Sequence, residues 1–156
     1  MSRRNISQKR FPQPDSIYNS YLVNLLISRV LKSGKKTLAK RIVYEAFNIV
    51  QNQTKKNPLL VFEKAVRKAS PLVEVKALRK KGSVRKIPIE ITGFRSTNLA
   101  LQWILKYSRQ RMGQNMSMNL ALEIIDTANN TSNTIKKKEE THKTAKANRA
   151  FAHFKY

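Results

Sequence analysis

Glu139 and His142 are the residues whose spacing comes nearest to that of a metal or acid–base site. They are three positions apart on a predicted helix and share one face, as in the Glu-x-x-His motifs of helical di-metal proteins. Such sites need two of these motifs and further carboxylates, whereas the chain has 9 Asp and Glu, 2 His and no Cys. We therefore interpret Glu139 and His142 as a surface pair and expect no metal and no cofactor.

A second candidate is the run Gly34-Lys35-Lys36-Thr37, which is similar to the end of a phosphate-binding loop. It lacks the earlier glycine and the preceding strand that such a loop requires. A helix C-terminus followed by a basic turn is the better interpretation. We expect that the chain is not an enzyme; an RNA-cleaving or RNA-modifying enzyme that uses His142 is the weakest alternative.

The charge is the most informative feature. The chain carries 32 Lys and Arg against 9 Asp and Glu, a net charge of +23 on 156 residues. So many like charges repel one another in a compact protein unless a polyanion lies nearby. Nucleic acid is the usual polyanion, because each phosphate neutralised by Lys or Arg releases a condensed counterion.

Composition favours a folded chain away from membranes. Hydrophobic residues make up 40% of it, which is too many for a disordered basic tail. The most apolar segment, residues 22–31, is interrupted by Asn24, Ser28 and Arg29 and is too short to cross a bilayer. We therefore expect no membrane partner.

The cations form clusters at the ends of predicted elements and in a predicted hairpin, and do not follow one helix face. Arginine suits bidentate phosphate contacts, and lysine supplies a point charge. We predict that these clusters bind the RNA backbone. The candidate residues are Arg3, Arg4, Lys9, Arg10, Lys35, Lys36, Lys76, Arg79, Lys80, Lys81, Arg85, Lys86, Arg95, Arg109, Arg111 and Arg149.

Apolar residues recur at helical spacing in about six segments. The first helix is predicted to begin near Ser16 and to end at residues 32–34, where Gly34 takes the left-handed conformation. Asn57-Pro58 begins the third helix, and Ser117 is the predicted N-cap of the fifth. The last helix, from about Asn133, is mostly polar, so we expect it to lie on a partner or in solvent.

Between the third and fourth helices the pattern changes to a period of two. Two alternating runs flank a glycine-containing connection, which predicts a β-hairpin at about residues 72–91. Pro88 cannot donate a ladder hydrogen bond and needs a free edge, which a two-stranded ribbon supplies. A ribbon has no core of its own, so we expect its basic tip to project toward an anionic partner.

Residues 1–16 show no apolar period and contain Pro12 and Pro14. We predict that they form a flexible basic arm that orders on phosphate, followed by a single domain over residues 17–156. The aromatic residues at core spacing are predicted to pack: Phe47, Phe62, Trp103 and Tyr107. Those in polar or terminal contexts are candidates for stacking on bases: Tyr18, Phe151, Phe154 and Tyr156.

Several segments, in order along essentially the whole chain, resemble the small-subunit ribosomal protein seven family of bacteria and plastids. The ending in Phe154 favours the plastid type. Because the match begins at residue 1, we expect no transit peptide and, in a plant or alga, synthesis inside the organelle. The matching segments are residues 1–4, 22–24, 29–39, 57–59, 87–91, 115–116, 137–142 and 147–154, with Asp15 and Tyr18.

The resemblance implies a mainly α fold, a bundle of about six helices with a protruding two-stranded β-hairpin arm and a flexible basic N-terminal tail. It also implies a structural protein that binds the 3′ major domain of small-subunit rRNA and nucleates assembly of the head. Such a protein lies near the mRNA exit channel and exit-site tRNA, beside neighbouring ribosomal proteins. The expected location is therefore the ribosome, in the chloroplast rather than the bacterial cytoplasm.

Among the family's RNA contacts, the resemblance carries over Arg3, Arg4, Arg95, the basic pair at positions 35 and 36, and the hairpin cations. Two positions depart from the family. Lys81-Gly82 stands where a Gly-Gly pair is common, and Gln114 replaces a usual basic residue, which weakens one expected phosphate contact. The alternative from another class is an architectural DNA-binding protein whose basic hairpin enters a minor groove.

Overall fold

The computed structural model describes residues 12–80, 82–113 and 115–154, without the side chains of residues 80, 83, 153 and 154. This part of the chain contains a helical bundle, one antiparallel two-stranded ribbon and a short C-terminal helix. Its elements are α1 (Tyr21–Val30), α2 (Lys36–Thr54), α3 (Pro58–Ala69), β1 (Val73–Lys80), β2 (Ser83–Glu90), α4 (Gly93–Gln110), α5 (Met116–Asn129), α6 (Asn133–Ala147) and a C-terminal 3-10 helix (Arg149–Phe154). The predicted mainly α fold with a hairpin is confirmed.

Helix α5 lies at the centre of the bundle, where it packs against α2, α3 and α4. Its apolar stripe includes Leu120 and Ile124, which are fully buried, as are Phe47 of α2 and Phe62 of α3. Burying each such side chain stabilises the fold by roughly 1.5–3 kcal/mol. The predicted packing of both phenylalanines is therefore confirmed.

Helix α1 begins at Tyr21, later than the predicted start near Ser16. The Asp15 carboxylate accepts the backbone N–H groups of Ile17 at 3.2 Å and Tyr18 at 3.4 Å, which bends residues 16–18 into a turn. Asn19 then takes a left-handed φ of 44°. The predicted start was wrong because an aspartate side chain stabilises a turn in place of the first helical bonds.

The ends of the next helices agree in part with the sequence. Gly34 has a φ of 73°, as predicted for the turn after α1. Asn57 caps α3 by accepting the N–H of Leu59 at 3.0 Å. Helix α5 instead begins after Asn115, and the predicted cap Ser117 donates its hydroxyl to Glu45 of α2 at 2.9 Å. That prediction was wrong because a carboxylate on another helix takes the hydroxyl.

Helix α6 belongs to the bundle, although its sequence predicted little core surface. It packs against β1 and α4, and it buries Thr134, Ile135 and Ala145. Ser132 caps it by accepting the N–H of Ile135 at 3.3 Å. Placing α6 wholly on a partner or in solvent was therefore wrong, because three buried residues, one of them the apolar Ile135, suffice to dock a polar helix.

The hairpin pairs β1 and β2 from Val73 opposite Glu90 to Lys80 opposite Ser83. Pro88 lies opposite Val75, on a strand whose other edge has no strand partner in the described chain. β1 packs mainly against α6, and β2 packs against the C-terminal 3-10 helix. The bundle therefore supports the base of the ribbon, while Val84 near the tip is 63% exposed.

Candidate nucleic-acid interface

The connection between α1 and α2 gathers basic residues at one end of the bundle. Lys32, Lys35 and Arg109 line a cleft of about 410 Å³, with Leu38 and Met116 among its apolar walls. Lys36, the first residue of α2, is exposed beside Lys35. We call Lys32, Lys35, Lys36 and Arg109 the turn cluster. The structure thus brings together two predicted sites that are more than 70 positions apart in the chain.

The backbone adds to the positive character of the turn cluster. Ser33 and Gly34 take consecutive left-handed conformations, with φ values of 51° and 73°. Helix α2 then begins with no side-chain cap among the described residues and no acidic residue in its first turn. The Lys36 N–H bonds to the Gly34 carbonyl, but the dipole of the uncapped helix still favours an anion at this position. Lys35, Lys36 and the N-terminus of α2 therefore all favour the binding of an anion at this position.

The hairpin arm, β1 and β2 together, is the second basic surface. Lys76, Arg79, Arg85 and Lys86 are exposed on it. Leu78 lies opposite Arg85, and Ala77 lies opposite Lys86. Because successive side chains alternate between faces, Lys76 and Arg85 share one face, and Arg79 and Lys86 share the other. The arm therefore presents cations to a polyanion on either side.

Arg95, another predicted RNA contact, lies at the base of the hairpin. Its Nη2 donates to Glu74 Oε1 at 2.9 Å, and its Nε donates to Oε2 at 3.2 Å. These hydrogen bonds hold the pKa of Glu74 below its usual value, against the opposing effect of burial. The two-point contact ties α4 to β1, while the contact of Arg95 with RNA stays a prediction.

Arg111 also has carboxylate partners inside the chain. Its Nε donates to Glu123 Oε2 at 2.7 Å, and its Nη2 lies 2.5 Å from Asp126 Oδ2. Burial lowers the pKa of Arg111, but the bonds to both carboxylates outweigh it and raise the pKa. The Arg111 side chain is only 28% exposed. Arg111 therefore secures the end of α4 to α5, and its contact with RNA stays a prediction.

Carboxylates that could neutralise the turn cluster are largely engaged elsewhere. In the described chain, five of them form ion pairs with Arg41, Arg95, Arg111 and Lys137. None of these pairs includes a residue of the turn cluster. These carboxylates therefore do not neutralise the positive potential of the turn cluster, which can attract an external anion.

The aromatic candidates fall into different environments. The ring of Tyr18 lies 5.1 Å from that of Phe47 and 6.0 Å from that of Tyr44, centroid to centroid. Tyr18 therefore packs on the core, and its prediction as a base-stacking residue was wrong. Trp103, predicted to be core, is only partly buried and lines a cleft between α4, α6 and β1. Phe151 lies under the guanidinium of Arg85.

His142 makes a hydrogen bond that holds α6 to the start of β1. Its Nε2 accepts the backbone N–H of Leu72 at 3.2 Å, where the chain enters β1. Burial, with a smaller effect of Lys138, lowers the pKa of His142. Its helix neighbour Glu139 is exposed, and the described residues contain no group of three His, Asp or Glu side chains suited to a metal.

The remaining predicted sites are placed as follows. Arg149 is exposed in the C-terminal 3-10 helix. Lys32 was missed as a candidate, although its position before the basic turn was a usable signal. Helices of the described chain are too short or too polar to span a bilayer. The predictions for Arg3, Arg4, Lys9, Arg10, Lys81 and Gln114 fall outside the described residues, as does the side chain of Lys80.

Comparison with known proteins identifies the family of this chain. The family model described as "Ribosomal protein S7p/S5e" matches residues 2–149. "Small ribosomal subunit protein uS7c" of Trieres chinensis is 66% identical over 143 residues, covering 92% of this chain and 90% of the relative. "Small ribosomal subunit protein uS7" of Thermosynechococcus vestitus is 53% identical over 156 residues, and that of Trichormus variabilis is 51% identical, each covering 100% of both chains. The chain belongs to the ribosomal protein S7p/S5e family, whose members are structural, non-enzymatic proteins of the small ribosomal subunit.

Proposed function

We propose that this protein binds the 3′ major domain of the small-subunit rRNA and nucleates assembly of the subunit head. In the same proposal the hairpin arm reaches toward the mRNA exit channel and the exit-site tRNA. The observation that carries it is the separation of charge. Exposed cations gather in the turn cluster and on the hairpin arm, whereas five carboxylates of the described chain are held in ion pairs, four of them in the bundle and Glu74 at the base of the arm.

The mechanism is electrostatic and geometric. The turn cluster is preformed, because Lys35 N–H bonds to the Lys32 carbonyl at 3.1 Å and Lys36 N–H bonds to the Gly34 carbonyl at 2.8 Å. A preformed site binds without first ordering its backbone, which lowers the entropic cost of association. The hairpin arm adds cations on both of its faces. Folded RNA is therefore bound at two separate surfaces, the turn cluster and the hairpin arm.

Chloroplast ribosomes are the proposed location. The relative from Trieres chinensis carries the name uS7c and is more similar to this chain than the relatives from Thermosynechococcus vestitus and Trichormus variabilis, at 66% against 53% and 51% identity. Neighbouring small-subunit proteins are then the expected protein partners. Fractionation of organelles, followed by detection of the chain in the chloroplast or elsewhere, tests this location.

Sedimentation of a cell lysate tests the functional proposal. We expect the chain to co-migrate with small ribosomal subunits and to leave that fraction when the RNA is digested. In reconstitution, a 3′ major-domain fragment should bind the chain, whereas a 5′-domain fragment of equal length should not compete. A chain that stays at the top of the gradient, or binds both fragments equally, would contradict the proposal.

An architectural DNA-binding protein is the second candidate, favoured by one observation. The exposed cations on both faces of the hairpin arm would also suit an arm that inserts into a minor groove. This candidate predicts bending of duplex DNA, measured by energy transfer between labelled DNA ends. The rRNA proposal predicts no bending at protein concentrations that saturate the RNA.

A further inference from the structure

The hairpin arm needs support from outside its own strands. A two-stranded ribbon alone is marginally stable in water, yet Ile87 of β2 is only 4% exposed. Apart from β1, the described elements that pack against β2 are chiefly the C-terminal 3-10 helix and α6. The burial of Ile87 therefore depends on the last part of the chain.

A cation–π contact joins Arg85 of β2 to Phe151 of the C-terminal 3-10 helix. The guanidinium carbon of Arg85 lies 5.7 Å from the centroid of the Phe151 ring. A guanidinium over an aromatic face is attracted by the ring quadrupole. Arg85 and Ile87 share a face of the ribbon, so the C-terminal 3-10 helix lies along that face. The ring restrains one of the predicted RNA-binding cations without removing its charge.

A second contact holds the same ribbon at its base. His142 Nε2 accepts the N–H of Leu72, and the Leu72 carbonyl accepts the N–H of Ile91 at 3.3 Å, which closes the ribbon. Helix α6 thus anchors the base, and the 3-10 helix that follows it lies farther along β2. Two contacts from consecutive helices, at different points along the ribbon, fix its direction as well as its position.

We propose that the C-terminal 3-10 helix is a brace that sets the direction of the hairpin arm, with Phe151 as its positioning residue for RNA binding by Arg85. The part of this inference that concerns RNA rests on the proposed function. The restraint itself is a property of the free protein. Phe151 acts through Arg85 and makes no RNA contact of its own in this proposal.

Hydrogen exchange of the free, full-length chain tests the restraint. Phe151→Leu should speed amide exchange in residues 83–90 by about two- to fivefold, the factor expected for removal of an exposed cation–π interaction. Exchange in α2 and α5 should stay unchanged. Phe151→Tyr keeps the ring and should exchange like the native chain. Tyr21→Leu, an aromatic change on α1, is the matched control and should leave residues 83–90 unaffected.

The same variants are then titrated with the 3′ major-domain rRNA fragment. Phe151→Leu should weaken binding by about two- to fivefold with an unchanged salt slope, because no phosphate contact is removed. Combining it with Arg85→Gln should add little to the effect of Arg85→Gln alone. An additive double variant would contradict positioning through Arg85.

The possible failures are distinguishable. Unchanged exchange in residues 83–90, or faster exchange throughout the bundle, would overturn the brace whatever the RNA result. Faster local exchange with unchanged RNA affinity would overturn the positioning role. A native chain without preference for rRNA would contradict the proposed function, whereas the exchange result would still support the restraint.

Discussion

Arg111 donates from Nε to the carboxylate of Glu123 at a distance of 2.7 Å, and Glu123 is only 1% exposed. The other Glu123 oxygen accepts the hydroxyl of Thr134 at 2.7 Å. One buried carboxylate therefore joins the end of α4, the middle of α5 and the start of α6. Arg111 is thus one cation of this strongly basic protein that stabilises the fold.

Replacing Arg111 should destabilise the protein. Arg111→Ala leaves Glu123 buried without its counter-charge, and breaking such a pair costs about 3–5 kcal/mol. Urea denaturation should show this loss. Glu123→Gln in the same chain should recover part of it, since the neutral amide needs no counter-charge. Equal stability of Arg111→Ala and the native chain would show that water or another cation replaces the guanidinium.

Replacing Lys35 and Lys36 together with alanine should weaken rRNA binding. Removing one phosphate-binding cation lowers the slope of log affinity against log salt by about one unit, so we expect a decrease of about one to two units for the pair. Titrations at several salt concentrations measure it. Lys136→Ala with Lys143→Ala removes the same charge from exposed positions on α6 and should change the slope less. Equal slopes in both double variants would mean that the turn cluster has no special role.

The contact between Asp15 and Tyr44 should appear as an acid-sensitive part of stability. Burial raises the pKa of Asp15, but the Tyr44 hydroxyl, 2.9 Å from Oδ1, and two backbone N–H groups outweigh it and lower the pKa below 3.8. A lowered carboxyl pKa stabilises the fold above about pH 4, and this stability is lost as pH falls through the folded pKa.

Asp15→Asn should therefore lower the free energy of unfolding by about 1.5 kcal/mol at pH 7. Its difference from the native chain should shrink below pH 4. Tyr44→Phe should show a smaller loss with the same pH trend. A difference that stays constant between pH 7 and pH 3 would assign the effect to packing and not to charge.

His142 should give a second window of pH dependence, at higher pH than that of Asp15 but in the same direction. Its pKa is lowered from 6.5 by burial and by Lys138, so the fold prefers the neutral imidazole. The corresponding stability is complete above about pH 6.5 and declines as pH falls through the folded pKa. His142→Gln keeps an acceptor for Leu72 and should abolish this decline, measured as the difference between the two chains. The subtraction removes every contribution that both chains share.

Local signals in the sequence were sufficient to predict the hairpin and most helices. The alternation of apolar and polar residues, the turn at Gly34 and the helix start at Asn57-Pro58 each depend on only a few neighbouring residues. Tertiary partners decided the exceptions. Tyr18 is polar in context but packs on Phe47 of α2, and Ser117 donates to Glu45, which is 72 positions away. The ion pairs of Arg95 and Arg111 could not be predicted either, because no rule of sequence spacing relates these arginines to their carboxylate partners.

Competition binding with rRNA and DNA tests the central claim most directly. A labelled 3′ major-domain junction is bound to the chain at physiological salt and challenged with unlabelled competitors of equal length. We expect the junction to displace the label at a concentration at least tenfold lower than duplex DNA, which corresponds to about 1.4 kcal/mol of preference. Equal displacement by the two competitors would contradict specific recognition of ribosomal RNA by the basic surfaces of this fold.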